Sequence, residues 1–306
     1  MKIINNTTEF QIEEETVVVI GKFDGFHRGH QTLMEKAVCW KKRGMKVAVF
    51  TFVPSPAAFF SKEPVKELTT VEEKRQIFEK TGVDYLIEFP FNREIADMEP
   101  EVYICDVLVR KMNAKVIVAG TDVTYGKKGA GDYRLLCEKA ALYAYQVELI
   151  DKVEYENKEI SSTYVRDEVK LGNMELVTKL LGTPFHIAGE IVHGKQLGRT
   201  IGMPTVNILP SEDKLLPPKG VYYSYVVYEN QKYPAITNIG VKPTVQNNQV
   251  MGVETYLYNF SGNLYGEKLE VYLLKFKRPE MHFPDFEHLK EQMQQDLADG
   301  KEFHGL

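Results

Sequence analysis

A basic charge excess, paired cysteines and long apolar runs are all missing from this 306-residue chain. Its 38 Lys+Arg stand against 43 Asp+Glu, a net charge of −5. Nucleic acid could be held only through a local patch, so a general DNA- or RNA-coating role is excluded. The three cysteines, Cys39, Cys105 and Cys137, are odd in number and never at CxxC spacing. They offer no metal framework and predict buried thiols in a reducing compartment. Apolar runs such as Val17–Ile20 fall far short of the ~20 residues of a membrane helix. The start, MKIINNTTEFQIEEE, lacks the apolar segment of a secretory signal. These absences predict a cytoplasmic protein with no membrane and no nucleic-acid partner. What is present is ordinary globular composition, 43% apolar and 26% charged. At roughly 150 residues per domain, the length suggests two domains.

The first 180 or so residues alternate between two periodicities. Buried-strand runs at 16–23, 45–52, 83–89, 114–120 and 146–150 are separated by helical patterns at 27–42, 71–82, 100–112 and 132–144, and another follows at 161–172. Strand and helix in alternation argue for an α/β domain, a parallel sheet covered on both faces. Ligands in that architecture sit beyond the carboxyl ends of the strands. After LLGTPF (180–185) the pattern changes to six short strands separated by Gly, Pro and Asn turns, then one helix from about 284 to 298. This predicts a six-stranded antiparallel β-barrel with a C-terminal helix. The expected division is 1–182 and 183–306. Cut there, the halves carry 26 basic against 29 acidic and 12 against 14 residues, or −3 and −2. Binding of an anion must then depend on local arrangement and not on the overall field.

The densest motif in the first half is GKFDGFHRGH, Gly21 to His30, at a strand-to-helix junction. Glycine permits the tight turn, and the helix N-terminus offers free N–H groups and a positive dipole end to an anion. His27 and His30, three apart, face the same side of a helix. The motif is neither a Walker A loop nor a GxGxxG fingerprint. Imidazoles beside a phosphate cradle suit stabilisation of charge on a nucleotide phosphate. With seven histidines in the chain, a chance pair or half of a metal site is the alternative for the pair alone.

In the second half, HGKQLGRTIGMPTVNI (193–208) is a Gly-rich basic turn running into a strand. Thr205 and Asn207 fall on one face of that strand. Their hydroxyl and amide oxygens are donors of the kind Mg²⁺ accepts. A barrel turn with buried polar groups bonded to backbone is the alternative.

The longer patterns are more specific. GKFDGFHRGH resembles the HxGH signature of the nucleotidyltransferase superfamily, in the form typical of prokaryotic FAD synthetases. VAGTDVTYGKKGAGD (118–132) and EISSTYVRDEVKLGNMELVTKLLGTPF (159–185) are similar to two further segments of that family, in the same order. GRTIGMPTVNI resembles the GRxxGxPTAN motif of riboflavin kinases. The likeness continues through PPKGVYY, ITNIGVKPT, VETYLYNFSGNLYGEKLEVYLLKF and RPEMHF. Together the motifs are those of the prokaryotic bifunctional riboflavin kinase/FMN adenylyltransferase family. The resemblance implies a Rossmann-like nucleotidyltransferase domain followed by the kinase barrel. ATP with its Mg²⁺ would be co-substrate, and riboflavin, FMN and FAD substrates or products. A homo-oligomer stays open.

By that resemblance, His27 and His30 contact the ATP phosphates, and Ser161, Ser162 and Arg166 clamp the triphosphate. Gly21, Phe23 and Asp24 shape the cradle, and Asp122 holds the adenosine side or orders its loop. In the kinase half, Gly194, Arg199, Thr205, Asn207 and Arg278 hold the nucleotide or flavin. Thr205 and Asn207 also meet the metal, and Glu254 is the general base. Ser55 stands where the family has His, Thr121, Val123 and Tyr125 depart from its loop, and Tyr256, Asn259 and His282 differ in the barrel motifs. Alternatives within the scaffold are an enzyme with one half impaired and a flavin-binding regulatory protein.

Overall fold

The computed structural model describes residues 1–192, 203–243, 249–262, 264 and 266–306. Contacts divide the chain into two units, Met1–Ser162 and Thr163–Leu306.

The first unit carries a six-stranded, all-parallel sheet. Its strands are β1 (Lys2–Asn5), β2 (Thr16–Ile20), β3 (Lys46–Val53), β4 (Tyr85–Pro90), β5 (Ala114–Gly120) and β6 (Gln146–Ile150), in the order β1-β4-β3-β2-β5-β6. Along β2, Val17 and Val19 join one core cluster while Val18 and Ile20 join another, the two-residue alternation of a sheet buried on both sides. Helices α1 (Arg28–Lys41), α2 (Pro56–Phe60), α3 (Val71–Lys80), α4 (Arg93–Ala96), α5 (Pro100–Val102) and α6 (Tyr133–Tyr143) connect the strands. α3 starts on a full capping box between Thr70 and Glu73, two reciprocal bonds that satisfy orphan N–H groups. Directly after α5, residues Tyr103–Lys111 wind as a π-helix. The chain leaves β2 toward β3 and β4 on one side and returns to β5 on the other. The order therefore reverses between β2 and β5, the place where open α/β sheets bind ligands. The Gly21 loop follows β2 and Asp122 follows β5. A short hairpin, β7 (Glu154–Tyr155) and β8 (Lys158–Glu159), precedes α7 (Ser162–Leu171).

The second unit includes α8 (Met174–Leu181), stopped by Gly182 in the left-handed conformation. It continues into a closed antiparallel barrel: β9 (Phe185–Val192), β10 (Thr205–Pro210), β11 (Gly220–Tyr228), β12 (Gln231–Pro243), β13 (Gln249–Leu257) and β14 (Lys268–Pro279), ordered β10-β13-β12-β11-β14-β9. Closure leaves no sheet edge. Three fully buried hydroxyls cross β11, β12 and β13: Ser224 to Thr237 at 2.7 Å and Thr237 to Thr255 at 2.9 Å. Each satisfies its neighbour, so polar groups are tolerated in the barrel interior. The last helix, α9, runs Phe286–His304.

The α/β-then-barrel architecture agrees with the sequence reading. The thiols do not: Cys39 and Cys137 are exposed and Cys105 is half-buried. The two exposed ones lie on the solvent sides of amphipathic helices α1 and α6, where a small residue is accommodated without core packing. No helix among the described residues is long and apolar enough to cross a membrane.

Candidate functional sites

At the end of β2 the backbone folds back on itself, with Phe23, Gly25 and Phe26 at positive φ. A methyl group on Gly21 would lie 2.9 Å from the Phe23 ring, so the aromatic side chain can tuck under the loop only because Gly21 has none. Phe23 is fully buried and packs edge-on against Phe78, with ring centroids 5.1 Å apart. The loop is tied to its surroundings by polar bonds. Thr69 N–H donates to Asp24 Oδ1 at 3.1 Å, Gly25 N–H donates to Thr69 Oγ1 at 2.9 Å, and Ser162 Oγ donates to the Asp24 carbonyl at 2.7 Å.

The loop delivers His27 to the N-cap of α1, where its side chain caps no N–H group. The first turn therefore keeps the free donors and positive dipole end that bind anions. His27 and His30 stack, with centroids 3.8 Å apart and an interplanar angle of 23°. The Nδ1 atoms of both are enclosed and have no hydrogen-bond partner. Burial pushes His27 down to about 4, against a smaller upward pull from Asp122, Asp24 and Glu159. His30 is driven well below the ordinary histidine value by burial, then by His27 and Lys74. Both rings are neutral at pH 7 in the ligand-free protein.

That neutrality has a measurable cost in acid. His27 must take up a proton in the unfolded chain at its ordinary pKa of 6.5, but only near 4 when folded. Its contribution is intact above pH 6.5 and is lost as pH falls through the window toward 4. By pH 5 the loss amounts to about 2 kcal/mol. Urea unfolding at pH 7.5 and pH 5 should show His27→Asn losing less stability over this interval than the parent; an equal loss would mean the imidazole is not the group responsible.

Beside this cradle, the ends of β3 and β4 present aromatic rings. Phe91 contacts Phe52, Phe59 and Phe60 at centroid distances of 5.0, 5.3 and 5.9 Å. Phe60 is 59% and Phe59 37% exposed, so the neighbouring rings leave an apolar patch at this end of the sheet. Behind Phe52 lies Tyr103, from the π-helix, with its hydroxyl buried and unpartnered. Helical segments of this kind recur at functional sites.

In the second unit a cavity of about 730 Å³ opens between the outside of the barrel and α9. Thr205 and Glu254 line it together with Lys219, Arg278 and the apolar side chains of Met203, Phe283, Phe286 and Met293. Asn207 is the register partner of Glu254 across β10 and β13, and Glu254 is the partner of Asn238 across β13 and β12. A carboxylate thus lies in a row between two amides on one barrel face. Arg278 is held by the nearly buried Asp296 of α9, its Nε 3.1 Å from each carboxylate oxygen, and Lys277 reaches the same carboxylate at 3.2 Å. Asp296→Ala would leave the Arg278 guanidinium without its carboxylate, while Lys277 keeps Asp299, costing about 3 kcal/mol. Thermal unfolding should show the barrel transition falling by several degrees; an unchanged midpoint would make the pairing incidental.

A family model described as FAD synthetase matches residues 9–164, and one described as riboflavin kinase matches 181–304. The chain belongs to the bacterial bifunctional riboflavin kinase/FMN adenylyltransferase family. It is 36% identical to the family member of Escherichia coli K12, covering 96% of this chain and 94% of that one. Identity to the member from Listeria monocytogenes is 34%, covering 97% and 95%. A crystal structure from Streptococcus pneumoniae, named as a macrolide-efflux protein, is 30% identical, with a TM-score of 0.84 and 98% coverage of both chains. That name describes the pneumococcal protein.

Within this bifunctional riboflavin kinase/FMN adenylyltransferase scaffold, the expected residues fall as follows. Gly21, Phe23, Asp24, His27 and His30 form one loop and helix start, and Ser162 is bonded to that loop. Ser161 immediately precedes α7, and Arg166 lies one turn after Ser162 on α7. Asp122 approaches the backbone of Gly120 at the end of β5, and its charge reaches His27. Thr205, Glu254 and Arg278 share the barrel cavity, and Asn207 is buried beside Glu254. Gly194 and Arg199 lie outside the described residues. Among the departures from family pattern, Ser55 caps α2 by accepting from Ala58 N–H at 3.3 Å. Tyr125 is buried, and its hydroxyl donates to the Asp132 carbonyl at 3.1 Å. Sequence reading missed the aromatic Phe59–Phe60–Phe91 shelf, although the FF pair beside a Pro-rich turn was its only available signal. It also missed Asp296, because an acidic side chain on an amphipathic helix carries no local sign of burial.

Proposed function

We propose that the chain makes FAD in two steps at two separate sites, phosphorylating riboflavin in the barrel unit and adenylylating FMN in the parallel-sheet unit. The working division is 1–182 and 183–306, with small-molecule substrates and a cytoplasmic location. The observation that carries the reading is the register pairing of buried Asn207 with Glu254, which lines the barrel cavity together with Thr205, inside a segment matched by the riboflavin kinase model. Riboflavin brings a neutral primary hydroxyl, a poor nucleophile until its proton is accepted. Glu254 is the base that takes that proton as the hydroxyl oxygen attacks the γ-phosphorus of ATP, the bond to the β,γ-bridging oxygen breaks and ADP leaves. Thr205 and Asn207 offer hard, uncharged oxygen donors suited to the Mg²⁺ that arrives with ATP. Held there with ATP, Mg²⁺ would offset charge on the transferring phosphoryl group. The apolar side chains around the cavity hold the flavin ring and exclude water.

FMN brings a different nucleophile. Its phosphate is largely dianionic at neutral pH, since the second pKa is about 6. Attack on the α-phosphorus of ATP, which breaks the bond to the α,β-bridging oxygen and releases pyrophosphate, then needs alignment and charge stabilisation but no base. The free N–H groups of α1, His27 and His30 supply these, with Ser161, Ser162 and Arg166 binding the triphosphate. Asp122 holds the adenosine side or its loop. The aromatic shelf of exposed Phe59 and Phe60 with half-buried Phe91 suits stacking of the isoalloxazine ring.

The test is a time course with riboflavin and Mg-ATP, resolving the flavins by chromatography. FMN should appear first and FAD follow at its expense. Accumulation of FMN without FAD would confine activity to the barrel unit. Flavin binding without turnover would overturn the enzymatic reading.

A further inference from the structure

Gly240 on β12 faces the carboxylate of Glu280, which follows β14. A methyl group built on Gly240 would collide with Glu280 Oε1, and would lie 3.2 Å from its Cδ and 3.5 Å from Asn238 Nδ2. The absent side chain is therefore the space that the carboxylate occupies. Glu280 lines the same cavity as Glu254 and Asn238. Arg278, two residues earlier, is engaged by Asp296. Among the described residues no donor is paired with Glu280, and its oxygens stay available to an incoming ligand.

We infer that Glu280 is a specificity-determining residue for the polyol chain of the flavin, accepting hydrogen bonds from its secondary hydroxyls, with Gly240 as the clearance that lets it do so. The inference rests on the riboflavin kinase reading of the barrel. Its chemistry follows from the donor set. A carboxylate only accepts, each oxygen can take more than one bond, and vicinal hydroxyls present a matching pair of donors. Charge-assisted bonds of this type are about twice as strong as neutral ones. Glu254 cannot serve the same purpose while it accepts the proton of the terminal hydroxyl, so two carboxylates in one cavity have distinct work. A flavin ring without the polyol gains nothing from Glu280. Discrimination between chain-bearing and chain-free flavins is the signature of this role.

The experiment measures binding of riboflavin and of lumiflavin, which has the ring but no polyol, to the full chain by quenching of flavin fluorescence. Glu280→Ala should weaken riboflavin binding about tenfold and leave lumiflavin unchanged. Gly240→Ala should weaken riboflavin binding similarly by displacing the carboxylate. In the Glu280→Ala background Gly240→Ala should add little, because the group it displaces is gone. Equal loss for both flavins would mean that Glu280 shapes the cavity without reading the polyol, and would overturn the inference. Unchanged riboflavin binding in both single variants would also overturn it while leaving the kinase reading intact. If the parent neither binds nor phosphorylates riboflavin, the kinase reading itself fails.

Discussion

Glu254→Ala is expected to reduce phosphorylation of riboflavin by about 10²–10⁴-fold, while adenylylation of supplied FMN continues at the parental rate. The magnitude is that of removing a positioned general base from a proton-coupled step. Geometry makes this residue the candidate. Glu254 is fixed on β13 by pairing on both sides, to Asn207 of β10 and Asn238 of β12. A side chain mounted on a central barrel strand keeps its direction better than one on a loop. It opens into the cavity together with Thr205, so the proposed base and the proposed metal donor share one space. Glu254→Gln is the informative companion, since it keeps size and hydrogen bonding but cannot accept the proton. Both variants should lose kcat with a much smaller change in KM for riboflavin, because the interaction removed belongs to the transition state. Retained FMN adenylylation reports folding of the sheet unit, and retained riboflavin binding by fluorescence quenching reports folding of the barrel that carries Glu254. Loss of both activities in a folded protein would refute the separation of sites.

How much of this was legible in the sequence differs between the halves and between levels. The strands of the parallel sheet were readable because β2, β3 and β5 are buried on both faces, and such strands are continuous runs of β-branched and apolar residues. β1 escaped notice. KIIN is four residues long at the sheet edge, pairs only with β4 and leaves Ile3 exposed, so it carries no clear period. The helix at 100–112 was legible as helical, but its π-winding over Tyr103–Lys111 was not. A shift in hydrogen-bond register leaves no mark in hydrophobic spacing that distinguishes it from an ordinary turn.

The site residues divide in the same manner. Those within one short motif, Gly21 to His30, could be placed together from sequence because the chain itself holds them close. Thr205 and Asn207 could be put on one strand face, but their partner Glu254 lies 47 positions beyond Asn207 in the numbering, and only barrel closure brings the two side by side. The match of Asp296 to Arg278 and of Glu280 to Gly240 is likewise tertiary. Single charged residues on amphipathic elements look like solvated surface, and no local pattern reveals that one of them is buried. The cysteines show the reverse error. Scarcity of thiols suggested burial, yet two sit on solvent-facing helix positions.

The converse of the Glu254 result is expected for His30. His30→Ala should lower adenylylation of FMN by about 10²–10³-fold, the scale of losing one preorganised donor to developing charge. Phosphorylation of riboflavin in the same protein should be unaffected. The physical case begins with the paired rings, 3.8 Å apart and both neutral in the ligand-free protein. Burial holds both rings neutral until an anion arrives, and two cationic imidazoles at that distance would repel as well. A triphosphate at the start of α1 reverses the balance, since a nearby negative charge favours the protonated ring. Nucleotide binding should then draw a proton from solvent, and Mg-ATP titration in buffers of different ionisation enthalpy should detect that uptake in the parent. In His30→Ala the uptake should fall along with the rate. Because His30 also packs on Phe23, with centroids 5.1 Å apart, the alanine variant loses some packing. His30→Gln restores much of the volume and can donate a hydrogen bond, but cannot become a cation. If His30→Gln recovers thermal stability while adenylylation and proton uptake stay low, the imidazole acts through its charge. If it recovers full adenylylation, the ring serves only to fill space beside the phosphate cradle.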